Sequence, residues 1–408
     1  MNSDVKADTS SWVDRCREHG DVLSWSLSDG RSETETVLGS AAAERGARIA
    51  HWLTQHTEPG DRIILALPDG PNLVVGMLAC SHANVVSVPL KTDDIDRGEQ
   101  LSPFVVYVLG HAAPTAVLTD SAHLDIFAAN AGEHDYVAVA IADLLDEPEL
   151  DAALPRDPDQ TAMMLYSSGS TGTPKGVPHS HANLEAQIEA SVVLWDTSAE
   201  SSFVSWLPLS HSFGLLLGML APLAAGCPCL LMPPNTFVET PELWLRMLAK
   251  RRATHSGAPN FALDHVVRYG AHGLTASDSL ASLRVIASAG EAVRRDTVER
   301  FNAAFAPFGL AESVITPHYG STEMGPVCCE EPNEPTTWLT VEREALREAR
   351  VEVREAGAEG TRALTCCGRE RADIRFKVCD QDGLDLGQDR VGELWVSSPG
   401  GAQQYFQN

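Results

Sequence analysis

The clearest chemistry in the chain lies in one run, Tyr166-Ser-Ser-Gly-Ser-Thr-Gly-Thr-Pro-Lys-Gly-Val177. Gly169, Gly172 and Gly176 permit tight or positive-φ backbone. Ser167, Ser168, Ser170, Thr171 and Thr173 offer hydroxyl donors, and Lys175 adds a cation. Backbone N–H groups, hydroxyls and one ammonium together suit a polyphosphate. The run is not a Walker A loop, because that pattern needs Ser or Thr directly after the lysine and Gly176 follows here. The bland alternative is a glycine-serine surface loop, but so ordered a run directly after an apolar segment, residues 162–166, weighs against it. Lysine is otherwise scarce, with Lys6, Lys91, Lys250 and Lys377 the only others.

Elements that could position such a loop follow from the alternation around it. Residues 41–55 carry Ala, Ile and Leu at helical spacing. Pro59-Gly60-Asp61 turns into the buried-strand run 62–68. Residues 72–83 read as an apolar helix, 84–89 and 116–119 as strands, and 162–166 as the strand feeding the loop. Alternation of this kind predicts an α/β fold of βαβ units, with a largely parallel sheet and helices on its faces. After Thr316 the texture changes. Residues 369–380 and 391–397 look like hairpin strands with turns at Asp382-Gly383 and Gly387-Gln388. We therefore expect an α/β core over 1–315 and a smaller β-rich subdomain over 316–408. Residues 342–362 hold six Glu and five Arg, a pattern expected of a solvated helix and strand.

Residues 213–232 are uncharged and long enough to span a bilayer. Pro222, Gly226 and Pro228 break the run into a helix-like half and a strand-like half, and no basic clusters flank it. A buried helix and strand is the expectation.

Composition narrows the function. The 408 residues carry a formal charge of -26, with 44% hydrophobic and 21% charged residues. That is ordinary globular composition, and it argues against nucleic acid as a partner and against insertion into anionic membranes. The nine cysteines form no CxxC pair and no zinc spacing, so reduced thiols in a cytoplasmic protein are expected. The polar, acidic start does not read as a secretory signal.

The loop resembles the signature of the adenylate-forming superfamily, which includes acyl-CoA synthetases, nonribosomal-peptide adenylation domains and fatty acyl-AMP ligases. Further blocks are similar in family order. Trp206-Leu-Pro-Leu-Ser-His211 with Gly214 resembles the segment whose histidine borders the acyl pocket. Ser288-Ala-Gly-Glu291 resembles the loop against adenine. His318-Tyr-Gly-Ser-Thr-Glu323 resembles the block whose tyrosine stacks on adenine and whose glutamate holds Mg²⁺, and Gly392-Glu-Leu-Trp395 the strand after it.

The resemblance implies two stacked α/β subdomains with largely parallel sheets, and ATP and Mg²⁺ as cofactors. It implies catalytic roles for Lys175, His211 and Glu323, with Glu323 as the metal ligand. The nucleotide would meet residues 167–173, Lys175, Ala289, Gly290, Glu291, His318, Tyr319, Gly320, Ser321 and Thr322. An acyl chain would lie along His211, Phe213, Gly214, Met219, Ser256 and Ala258, and the mixture of apolar residues with Gly, Ser and His over 206–218 adds Leu216 to a tunnel wall. The chemistry is consistent, since adenylation is mostly positioning and charge neutralisation. Mg²⁺ needs only one or two carboxylates beside phosphate and water, and an aromatic face suits a purine. Taken singly, Glu323 could be a surface carboxylate, Tyr319 or Met219 a core residue, and His211 a turn histidine.

Ser256-Gly-Ala-Pro-Asn-Phe-Ala262, residues 301–308 and Thr365-Cys-Cys-Gly-Arg369 look most like fatty acyl-AMP ligases. That branch implies a fatty acid substrate, transfer to an acyl carrier protein's phosphopantetheine thiol, and a role in polyketide or lipopeptide synthesis. His211-Ser-Phe-Gly214 and Tyr319-Gly-Ser-Thr-Glu323 depart from it toward the synthetases, which leaves an acyl- or aryl-CoA ligase open. The family's Thr-Gly-Asp block, hinge and small C-terminal domain with its lysine are not matched before Asn408. The expectation is a large domain incomplete for full activity, or a non-catalytic acyl- or adenylate-binding module.

Overall fold

The computed structural model describes residues 10–91, 95, 100–167, 173–369 and 373–407. Ser168, Gly169, Ser170, Thr171 and Gly172 of the phosphate loop lie outside the described residues.

Short runs of branched and small apolar residues form strands buried on both faces, as parallel sheets require. A six-stranded sheet has the order Val137–Ala140, Ala116–Thr119, Arg62–Ala66, Val86–Pro89, Thr161–Ser167, Lys175–Ser180. All of its pairings are parallel except the last, where Lys175–Ser180 returns antiparallel to Thr161–Ser167. An eight-stranded sheet has the order Gly325–Cys329, Ile315–Ser321, Val285–Ser288, His255–Gly257, Phe203–Ser205, Pro228–Leu231, Ser24–Ser28, Glu33–Leu38. Its interior pairings are parallel and its two edge pairings antiparallel.

One hydrophobic core joins the two sheets. Ile63 and Leu65 of the first share it with Phe203, Val285 and Ile286 of the second, through helices Gly39–His56 and Pro71–His82. Pro71 opens its helix where no intrahelical N–H is lost. Helix His181–Leu194 begins on a capping box: Ser180 Oγ accepts from the Asn183 amide, and Asn183 Oδ1 accepts from the Ser180 amide. This cap turns the phosphate-loop hairpin directly into a helix packed on the second sheet.

Two further hairpins complete the chain, Trp338–Glu342 with Thr361–Thr365 and Arg375–Cys379 with Glu393–Ser397. Residue 315 opens the strand Ile315–Ser321, so the eight-stranded sheet continues past the expected boundary to Cys329 and the separate hairpins start at Trp338. The reason is that Ile315, Thr316 and Pro317 pair with the core strand Val285–Ser288. Residues 342–362 include the short helix Arg343–Arg347 and exposed ion pairs of Arg350 with Glu348 and Glu352, and of Arg354 with Glu342 and Glu352.

Residues 213–232 fold as a buried helical stretch from Ser212 to Ala225, closed by Gly226 at φ 66°, then the strand Pro228–Leu231. Among the described residues no helix is long and apolar enough to cross a membrane.

Candidate active site

In open α/β sheets ligands lie beyond the carboxyl ends of the strands, and that is where the blocks meet. A cleft of ≈ 540 Å³ opens there. Ala289 and Gly290 leave the end of Val285–Ser288, residues 318–323 end the neighbouring strand, and His211 to Leu216 follow Phe203–Ser205. Ser167 and Lys175 face them from the edge hairpin of the other sheet.

The strand Ile315–Ser321 is buried through His318 and emerges at Tyr319. A register shift between Tyr319 and Gly320 re-aims the chain there. Gly320 is required at the bulge, since a Cβ would stand 2.4 Å from the Gly325 carbonyl oxygen. Tyr319, Gly320, Ser321, Thr322 and Glu323 all line the cleft. His318 closes it from behind. Trp195 Nε1 donates to His318 Nε2 at 2.5 Å, so Nδ1 carries the proton and donates to the Thr316 carbonyl at 2.7 Å. Burial pushes the His318 pKa down to about 4, so the ring is a neutral wall and no proton carrier near pH 7.

Glu323 stands at the polar end. Its Oε1 accepts from Tyr405 Oη at 3.0 Å, and the Tyr405 ring lies 4.5 Å from Lys175 Nζ. Behind it His179 is fully buried, with its pKa lowered to about 4 by burial.

At the apolar end, His211 Nδ1 accepts from the Phe213 amide at 3.2 Å and caps the turn Ser212–Leu215. The histidine opens to the cleft, while burial of its other side and the charge of Lys91 hold its pKa below the ordinary value. Phe213 and Leu216 also line the cleft. Gly214 does not; it lets the turn pack on the chain before it, where a Cβ would meet the Pro208 oxygen at 2.0 Å.

Met219, Ser256 and Ala258 are fully buried and do not line the cleft. Met219 belongs to the π-helical turn Leu216–Leu220 and faces the core. Ser256 Oγ is consumed by donating to the Val204 carbonyl at 2.6 Å and accepting from Trp244 Nε1 at 3.1 Å. Met219 and Ala258 belong to the core cluster against which Phe213 packs. Glu291 lines an adjoining cavity of ≈ 1050 Å³ that shares Gly290, His318, Tyr319 and Gly320, and its carboxylate accepts from the Phe261 amide at 2.6 Å. Thr173 is described but is not part of the lining.

Trp195, Ser212, Pro326 and Tyr405 line the cleft without having been singled out in the sequence. Only Tyr405 had a signal, an aromatic pair with Phe406 in an otherwise polar tail.

Residues 26–406 match the AMP-binding enzyme family. A medium-chain-fatty-acid–acyl-carrier-protein ligase of Moorena producens is 29% identical over 396 residues, covering 93% of this chain and 66% of that one. A long-chain-fatty-acid–AMP ligase of Mycobacterium marinum is 31% identical over 386 residues, covering 91% and 65%. The crystal structure of a fatty acid AMP ligase from Legionella pneumophila superposes with a TM-score of 0.90 at 27% identity, over 100% of this chain and 72% of that one. The chain spans about two thirds of the length of these curated relatives. A match over nearly the whole sequence, on a fold that brings the matched blocks to one cleft, makes this chain a member of the AMP-binding enzyme family.

Proposed function

We propose that the whole protein activates a carboxylic acid of the fatty class with ATP, and does so in the cytoplasm. A carboxylate oxygen attacks the α-phosphorus, the α–β anhydride bond breaks, and pyrophosphate leaves an acyl-adenylate. The thiol of a carrier protein's phosphopantetheine then attacks the acyl carbonyl and AMP departs. The observation that carries this reading is the single cleft, with Lys175 and Glu323 at one end and Phe213 and Leu216 at the other. The names of the relatives, which print fatty acids and in one case a carrier protein, support the same choice.

Each end has a defined task. Lys175 and Ser167 neutralise and bind phosphate charge, a preorganised electrostatic contribution. Tyr319 offers a face to the base, and the Ala289-Gly290 backbone borders it. Among the described residues no three ligating side chains form a metal cluster. That donor set fits Mg²⁺ carried by a nucleotide, because such an ion takes phosphate and water oxygens and needs only one or two carboxylates. Glu323 would hold it, and the ion would supply charge neutralisation on the phosphates. His211 and Phe213 receive the acid beside them.

Pyrophosphate exchange driven by fatty acids tests the reading with the full-length protein. Exchange that depends on both the acid and Mg·ATP is expected, followed by acyl transfer to a carrier protein in preference to free CoA. Binding of ATP without exchange would leave a binding module instead. Transfer to CoA alone would make the enzyme a CoA ligase.

A further inference from the structure

Residues 399–407 tie the two sheets together at the polar end of the cleft, which Tyr405 lines. Asn183 Nδ2 donates to the Pro399 carbonyl at 2.8 Å, and Gln187 Nε2 to the Gly400 carbonyl at 2.7 Å. The Ala402 amide donates to the Glu323 carbonyl at 2.7 Å, and the Phe406 amide to the Gly176 carbonyl at 2.8 Å. Tyr405 is thus fixed from both sides, once on the strand end that carries Glu323 and once on the hairpin that carries Lys175. Its two halves do different things. The hydroxyl donates to Glu323 Oε1 at 3.0 Å, and the ring stands 4.5 Å from Lys175 Nζ.

We propose that Tyr405 is a positioning residue: its hydroxyl fixes the Glu323 carboxylate for the metal-bound phosphates of ATP, and its ring holds Lys175 toward them. The inference rests on the ATP-dependent reading above. A carboxylate with one oxygen tied by an outer donor presents the other in a set direction, and loss of such a donor typically costs 10–100-fold in metal affinity. An ammonium over an aromatic face is held there with modest strength while its N–H donors stay free for phosphate. Tyrosine supplies both contacts from one position, and phenylalanine would supply only the second.

The test is calorimetric titration of the 408-residue protein with Mg·ATP, and with a non-hydrolysable acyl-adenylate analogue in EDTA. Wild type, Tyr405→Phe and Tyr405→Ala are compared, with melting temperatures measured for each. Tyr405→Phe should need ~10-fold or more Mg²⁺ to reach the same ATP affinity, while binding of the analogue in EDTA stays at the wild-type value. Tyr405→Ala should lose about threefold more in ATP affinity, through Lys175. A wild-type Mg²⁺ dependence in Tyr405→Phe overturns the proposal. Equal loss of both ligands with a lowered melting temperature also overturns it, since that marks a packing role. A wild-type protein that binds no Mg·ATP would instead remove the adenylation reading itself, and the proposal with it.

Discussion

The cleft face and the residues directly behind it lie on the same or neighbouring elements, yet they obey different rules. Tyr319 through Glu323 face the cleft with exposed or half-exposed side chains. Immediately behind stand His318 and His179, both buried. At the apolar end Phe213 and Leu216 line the cleft, Leu216 from within the buried core, while Met219, Ser256 and Ala258 do not reach it. On the proposed reading the face presents groups that gain their partners from a ligand, whereas the backing layer has its partners already, as with Trp195 and Thr316 on His318. Changes behind the cleft should therefore register as stability, and changes on its face as binding.

The largest effect expected concerns the backing histidines. His179 and His318 are both buried, and burial lowers each pKa to about 4. Unfolded, they would titrate near 6.5. Because the folded value is the depressed one, the unfolded chain binds more protons between the two values. The stabilisation is complete above pH 6.5 and is lost as the pH falls toward 4. Each group contributes roughly 3 kcal/mol on this scale, so urea midpoints should fall steeply from pH 6.5 to 4.5. A flat profile over that window would break the distinction between the two layers.

On the face, Glu323→Gln keeps the shape of the side chain but removes the charge that a hard cation favours. On the proposed reading, fatty-acid-driven pyrophosphate exchange by the full-length enzyme falls by about two orders of magnitude or more. Binding of a metal-independent acyl-adenylate analogue and the melting temperature should be nearly unchanged. A matched loss of all three would place Glu323 among the structural residues.

The same distinction explains what was legible in the sequence. Strand–helix alternation gave residues 116–119 without error and residues 62–68 and 72–83 to within two residues, because period and turn residues are local signals. Lys175, Tyr319 and Glu323 stood out because glycines, hydroxyls and charges are out of place in a core. Met219 and Leu216 could not be told apart. Both are apolar residues of one helical run, and a π-helical turn over Leu216–Leu220 decides which of them meets the cleft. Tyr405 stood out as half of an aromatic pair in a polar tail, but its role was not legible, for another reason. Its contacts to Glu323 and Lys175 join residues 82 and more positions apart, and no local pattern encodes that.

That ambiguity becomes a measurement. On the proposed reading, Leu216→Trp should shorten the acyl chain preferred in pyrophosphate exchange, because Leu216 lines the cleft, and should also lower the melting temperature, because Leu216 is buried. Met219→Trp overpacks the core at roughly 1–3 kcal/mol and should lower the melting temperature while leaving the chain-length profile alone. Reversed outcomes would move the acyl path to the other side of the turn.

The smallest effect concerns Tyr319, and it sharpens the comparison most because its neighbour His318 belongs to the other layer. The Tyr319 ring is 42% exposed, so no core packing depends on it, and an exposed substitution changes stability by only about 0.5 kcal/mol. Stacking on a purine is worth about 0.5–1.5 kcal/mol beyond buried area, which corresponds to roughly 2–10-fold in affinity. On the proposed reading, Tyr319→Leu should therefore weaken ATP and AMP alike by that factor, with an unchanged melting temperature. Tyr319→Phe keeps the face and should bind both as wild type does. The equal effect on ATP and AMP separates base stacking from phosphate contacts, which AMP largely lacks. If Tyr319→Leu bound both nucleotides at full strength, the base would not lie on this face. The adjoining ≈ 1050 Å³ cavity, which shares Tyr319 as its wall, would then be the place to look for it.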